Sequence, residues 1–111
     1  MEICFLNADL QELCNSEKRA RKEYGQKNAK VLRRRLDDLA AAAHLFEVYA
    51  LPGKCHALKH DRAGCYAMAL DGGYRLLFVC AVDPPPLKPD NTIDPLRVTA
   101  IRIVSVEDYH E

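Results

Sequence analysis

No stretch of this 111-residue chain approaches the roughly 18 to 20 apolar residues that cross a bilayer. Its start, Met-Glu-Ile-Cys-Phe-Leu, lacks the basic residues and long apolar region of a secretory signal. Together these absences lead to the expectation of a cytosolic protein. Cys-x-x-Cys spacing is missing too. The cysteines Cys4, Cys14, Cys55, Cys65 and Cys80 are odd in number, which argues against a disulfide framework or a zinc knuckle and for reduced thiols packed as small apolar groups. His-Glu-x-x-His does not occur. His56 and His60 have i, i+4 spacing but fall in a strand and a loop, so no metal and no cofactor is expected. There is no internal repeat and no composition shift marking a domain boundary.

What is present reads as one domain over residues 1–111, long enough to bury about 65% of the surface its unfolded chain exposes. Hydrophobic content of 49% and charged content of 29% suit a soluble globular fold. Net charge is zero, yet its distribution is uneven. Ser16 to Arg35 holds nine basic residues against two acids, whereas residues 1–15 and 83–111 each carry an excess of three negative charges. The basic block is a candidate polyanion surface. It also reads as a solvated helix face laced with ion pairs. Arg33 with Asp37 and Arg34 with Asp38 are i, i+4 partners that favour the second reading. Lys27, Lys30 and Arg35 have no such acidic neighbour and keep the first one open.

The chain is organised around Gly64 to Val82. Two apolar runs flank Asp71-Gly72-Gly73, a strong local signal for a β-hairpin. Alternation places Tyr66, Met68 and Leu70 on one side and Cys65, Ala67 and Ala69 on the other. In the second strand Arg75 shares a side with Leu77 and Val79, so it is either at a solvent end or part of a site.

Before the hairpin, Glu2 to Leu6 reads as a short strand. Asp9 with Glu12 reads as a capping box for a first helix, and Ser16 as the cap of a second that runs to Tyr24. Gly25 is the break. Gln26 to Ala43 is the clearest helix, with Leu32, Leu36, Leu39 and Ala43 as its buried stripe. His44 would end it. Leu45 to Leu51 is a helical turn or apolar connection, and Lys54 to Lys59 a third strand. After the hairpin, the prolines between Pro84 and Pro89 forbid regular structure and favour a stiff surface loop. Arg97 to Val106 is a long β-branched strand. This order predicts an α+β domain, an N-terminal strand and a helical hairpin packed on one face of a twisted, mainly antiparallel sheet. The other face, or its concave edge, is then free for a site.

His56, Lys59, Arg75, Asp108, Tyr109 and His110 are the residues with chemistry to offer. Imidazole passes protons near neutrality, and two such groups with a carboxylate can supply a general base and a general acid. Lys59 and Arg75 can neutralise a phosphate, and Tyr109 offers a ring on which an unstacked base can rest. Together these suit metal-free RNA cleavage through the ribose 2′-hydroxyl. Singly, each has an ordinary role: a packed or surface imidazole, a core tyrosine, surface charges, a frayed polar tail. They make a site only if the last strand lies beside the hairpin.

Several segments carry a resemblance. They are Tyr24-Gly25, Ala29-Lys30-x-Leu32-Arg33-Arg34-Arg35-Leu36, Leu51-Pro52-Gly53, His56-Ala57-Leu58-Lys59-x-Asp61-Arg62-x-Gly64, Gly73-Tyr74-Arg75-Leu76 and Val106-x-Asp108-Tyr109-His110. In this order they resemble the RelE/ParE toxin superfamily, and within it the HigB-type plasmid maintenance killer toxins. The resemblance implies a RelE-like fold and a ribosome-dependent mRNA endonuclease, held in check by a cognate helix-turn-helix antitoxin. It puts the catalytic residues on His56, Asp108, Tyr109 and His110. It makes Lys59 and Arg75 phosphate contacts, with Lys27, Lys30 and Arg35 as further RNA-binding positions. Two departures stand out: His60 occupies a position where these toxins usually have glycine, and the Pro84–Pro89 insert is longer than usual. The ParE branch, which inhibits DNA gyrase without enzymatic chemistry, is the alternative, as is a degenerate toxin that only binds an antitoxin.

Overall fold

In the computed structural model, which describes residues 1–108, a short strand and the helices come first, and a hairpin and a last strand follow. The elements are β1 (Glu2–Phe5), α1 (Ala8–Asn15), α2 (Glu17–Tyr24), α3 (Gln26–Ala41), α4 (Leu45–Val48), β2 (His56–Ala57), β3 (Cys65–Ala69), β4 (Tyr74–Cys80) and β5 (Ala100–Asp108). A short 3-10 turn, His60–Arg62, joins β2 to β3. The sheet order is β1-β5-β4-β3-β2. β1 runs parallel to β5, and the other neighbours are antiparallel. The expected α+β arrangement is therefore present, and the last strand does lie beside the hairpin.

Local chemistry sets the element ends. α1 is capped not by Asp9 but by Asn7, whose side-chain oxygen accepts the Leu10 N–H at 2.8 Å. Asp9 sits inside the first turn and pairs with Arg19 instead. Ser16 caps α2 as its sequence position suggests, accepting the Arg19 N–H. Gly25 separates α2 from α3 with φ of 93°, a conformation that costs a side-chain-bearing residue energy. α3 stops at Ala41, and His44 opens α4 rather than closing α3.

Two strand boundaries move for identifiable reasons. The third strand shrinks to His56–Ala57 because Lys54 and His60 both take left-handed backbone conformations, with φ of 51° and 60°. The last strand starts at Ala100, not Arg97. The Val98 carbonyl accepts the Leu45 N–H, and the Thr99 carbonyl accepts the Glu2 N–H, so that segment is committed elsewhere. It then runs on to Asp108 because Tyr74 and Arg75 offer partners to Asp108 and Glu107. The proline insert folds back on itself through a bridge between Leu87 and Ile93, with Arg97 donating to the Leu87 carbonyl.

The sheet has two apolar faces. The larger core joins Leu32, Leu36 and Leu39 of α3 and Leu45 and Val48 of α4 to Tyr66, Met68, Leu76, Phe78, Ile101 and Ile103 of the sheet. Tyr66 and Phe78 stack there with centroids 5.6 Å apart. Asn28, buried in this layer, donates to the Tyr24 carbonyl and accepts the Asp71 N–H at 2.7 Å, tying the hairpin tip to the start of α3. The opposite face carries a smaller cluster of Leu58, Cys65, Ala67 and Leu77, with Val79 and Val104 against it. Among the described residues, no helical residue joins that cluster.

Candidate functional site

The helix-free face of the sheet holds the candidate site. In β4 and β5 the register runs Arg75 opposite Glu107 and Leu77 opposite Ser105, then Phe78 opposite Ile103. Val104 is therefore an extra residue, a β-bulge. The bulge turns both Val104 and Ser105 toward the helix-free side, where they line one open cleft with Asp61, Arg62, Ala63, Cys65, Leu77, Val79 and Glu107. The cleft measures about 370 Å³. Its floor is apolar and its rim is charged.

An ion pair between described residues spans that rim. The Arg62 guanidinium lies 2.8 Å from a Glu107 carboxylate oxygen, and both side chains are partly shielded from solvent. The Ser105 hydroxyl donates to the other Glu107 oxygen at 2.8 Å. Glu107 is thus held at both oxygens, and Arg62 is held over the cleft by a charge rather than by packing alone. Burial pushes the Cys65 thiol on the floor upward, which keeps it neutral. Arg75 donates to the carbonyls of Tyr74 and Gly72 at the same end of the sheet.

His56 lies on the same face. It pairs with Ala67, which pairs with Leu77, which pairs with Ser105, so these four residues make one row across the sheet. Three strand spacings separate its ends, about 14 Å between backbones. The His56 Nδ1 lies 3.0 Å from the Lys54 carbonyl. A carbonyl only accepts, so Nδ1 carries the proton, and in the neutral ring the basic lone pair belongs to Nε2. Lys59 is exposed at the start of the 3-10 turn, where its carbonyl accepts the Arg62 N–H.

The remaining sequence-expected residues fall elsewhere. By alternation Asp108 shares a side with Val106 and Tyr74, toward the helices, while Glu107 takes the cleft side. Tyr109 and His110 lie outside the described residues. Lys27, Lys30 and Arg35 belong to α3, in the layer on the opposite face from His56. Lys27 does have an acidic neighbour, contrary to expectation. It pairs with Asp71 of the hairpin turn at 3.2 Å, a contact that helical spacing could not reveal. Arg35 is half-buried and donates to the Ala69 carbonyl. A Cβ on Gly53 would come within 2.9 Å of its Nε, which gives that glycine a packing role. Part of the basic block is ion-paired: besides Lys27, Arg19 pairs with Asp9 and Glu12, Arg21 with Glu17, and Arg33 with Asp37.

The sequence places Arg62 and Glu107 in the two polar clusters that bracket the hairpin, His56 to Arg62 and Glu107 to Glu111, without singling them out, and gives Ser105 and Arg102 no part in this face. A signal existed for Arg102, since it sits between Ile101 and Ile103, both fully buried on the other side. It pairs with Val79 and so marks the far end of the same face. Arg62 gave no signal beyond its charge, because a turn has no periodicity to read. Among the described residues, no group of three His, Cys, Asp or Glu side chains is placed to hold a metal ion.

Comparison with solved structures bears on this arrangement. The chain superposes on a YoeB/ParE toxin from Agrobacterium tumefaciens with a TM-score of 0.60 and 10% identity, covering 99% of this chain and 100% of that one. It superposes on YoeB from Staphylococcus aureus, described as a dimer, with a TM-score of 0.56 and 20% identity, covering 100% of this chain and 98% of that one. The chain has the YoeB/ParE toxin fold. No family model matches it, and no curated protein matches it. The likeness is thus one of architecture over the whole length, without close sequence kinship. Among the described residues of this YoeB/ParE-like fold, no helix is long and apolar enough to cross a membrane.

Proposed function

We propose that this chain is a single-domain toxin of the RelE/ParE superfamily, nearest the HigB type, which cleaves messenger RNA on the ribosome and is neutralised by a helix-turn-helix antitoxin in the cytoplasm. The observation that carries the reading is the cleft on the helix-free face, with Arg62 clamped by Glu107, Arg75 beside it and His56 in the same face. A polyanion can approach such a surface without displacing a helix.

In this reading His56, Tyr109 and His110 share the proton transfers and the base contact, while Asp108, on the helix side of β5, takes no part in the cleft chemistry. One group removes the 2′-hydroxyl proton. The 2′-oxygen attacks the adjacent phosphorus, the bond to the 5′-oxygen breaks, and a second group protonates that leaving oxygen. Arg62, Arg75 and Lys59 stabilise the charge that builds on the phosphoryl oxygens. The Leu77–Val79–Val104 floor receives an apolar base face. DNA lacks the attacking hydroxyl and survives.

The test is a translation-coupled cleavage assay on wild type and His110→Ala, with circular dichroism as the folding control. Loss of cleavage in a folded variant supports the assignment, and wild-type rates overturn it. A gyrase supercoiling assay run alongside addresses the second reading, which the ParE-type architecture favours. Gyrase inhibition without RNA cleavage would replace the nuclease by that activity.

A further inference from the structure

The helical layer contains a second cavity, separate from the cleft and on the other side of the sheet. It measures about 400 Å³ and opens where α1, α2 and α3 meet. That volume lies in the range of small-molecule sites. Its floor is made of short side chains, Cys14, Ala20 and Ala29, all at least nine-tenths buried. Its rim is Lys30, Arg33 and Arg34 from α3, faced by Asn15 and Glu17.

Charge at this rim is not balanced. Arg33 is committed, donating to Asn15 across the opening at 3.2 Å and pairing with Asp37 at 3.1 Å. Glu17 faces Arg21 at 3.8 Å. Lys30 and Arg34 are different. Among the described residues neither has a carboxylate within ion-pair distance, and Arg34 does not make the i, i+4 pair with Asp38 that its spacing suggests. Two unpaired cations therefore overhang an apolar recess. On the floor, burial pushes the Cys14 thiol up to about 11, and Arg33 pulls against that rise.

We propose that this cavity binds a small organic anion, with one phosphate or carboxylate head held by Lys30 and Arg34 and a compact apolar body on Cys14, Ala20 and Ala29. A guanidinium and an ammonium complement such a head, the first in a planar fork and the second as a point charge. The short floor residues leave room for the body. The site is independent of the cleft and of any activity assigned to it.

Isothermal titration with 1-naphthyl phosphate, 1-naphthoate and 1-naphthol tests this, with amide chemical shifts locating the bound probe. The expected result is saturable one-to-one binding of at least one anionic probe. 1-Naphthol should bind at least tenfold more weakly, with shifts at Cys14, Ala20 and Ala29. Whichever anion binds more tightly identifies the preferred head. Lys30→Gln combined with Arg34→Gln should weaken binding at least tenfold. Lys18→Gln with Lys22→Gln removes the same charge away from the rim and should change it less than twofold. The proposal is overturned if neither anion binds at millimolar concentration, if both double variants weaken binding equally, or if the shifts map to the cleft and Arg62→Ala removes binding.

Discussion

Arg62 Nη1 and Glu107 Oε1 lie 2.8 Å apart, joining a 3-10 turn to the last strand across the mouth of the helix-free cleft. The second carboxylate oxygen is taken by Ser105. A pair this exposed adds little to stability, on the order of 0–1 kcal/mol. Its consequence is position: the guanidinium is fixed over an apolar floor.

On the proposed nuclease reading, Arg62→Ala is expected to lower translation-coupled RNA cleavage by about 100-fold, the scale of losing one donor to a developing oxyanion. Thermal unfolding should stay within a few degrees of wild type. A variant that cleaves normally would show that this residue does not address the phosphate.

Asn28 links the hairpin tip to α3 through the Asp71 N–H, and it is 5% exposed. Asn28→Leu keeps the bulk and removes the acceptor, leaving that N–H unpaired. The expected loss is about 2 kcal/mol in urea unfolding. An unchanged midpoint would mean that solvent replaces the bond without cost.

His60 holds φ of 60°, a conformation in which glycine is at ease and a residue with Cβ is strained by roughly 1–2 kcal/mol. His60→Gly relieves that strain but frees the unfolded chain, so a net gain of up to about 1 kcal/mol is expected. The check is the denaturation midpoint. A drop would mean that the imidazole makes contacts worth more than the backbone strain.

Alkaline pH should unfold the protein through its buried thiols and phenols. Burial pushes Cys55 from 9.0 up to about 12 and Tyr66 from 10.0 up to about 12. Below pH 9 both states keep these protons, and the stability they contribute is fully present. Above 9 the unfolded chain releases the thiol proton while the folded one retains it, so stability falls as pH rises toward 12. One such group gives a slope of at most about 1.4 kcal/mol per pH unit. Unfolding free energy measured from pH 7 to 11 should be flat and then decline, and Cys55→Ala should decline less steeply. An equal decline would mean that Cys55 titrates normally in the fold.

The periodic signals were legible without coordinates. Leucines at helical spacing announced α3, and alternating apolar runs around Asp71-Gly72-Gly73 announced the hairpin, because burial imposes those repeats on any chain that makes the elements. The two sides of β3 were assigned from alternation alone and match the two apolar clusters. Turn residues were less legible. Asn7 caps α1 in place of Asp9, and Lys54 and His60 adopt left-handed backbone that no propensity demands.

What only tertiary structure decided was partnership across the chain. Lys27 meets Asp71, Arg35 meets the Ala69 carbonyl, Arg62 meets Glu107, and Arg34 is left overhanging a cavity. The bulge at Val104 decided which side chains line the cleft, since one extra residue in β5 turns Val104 and Ser105 to the same side. Local sequence sets which residues share a face of one element. Register, bulges and turns, settled by packing of the whole domain, set which faces meet.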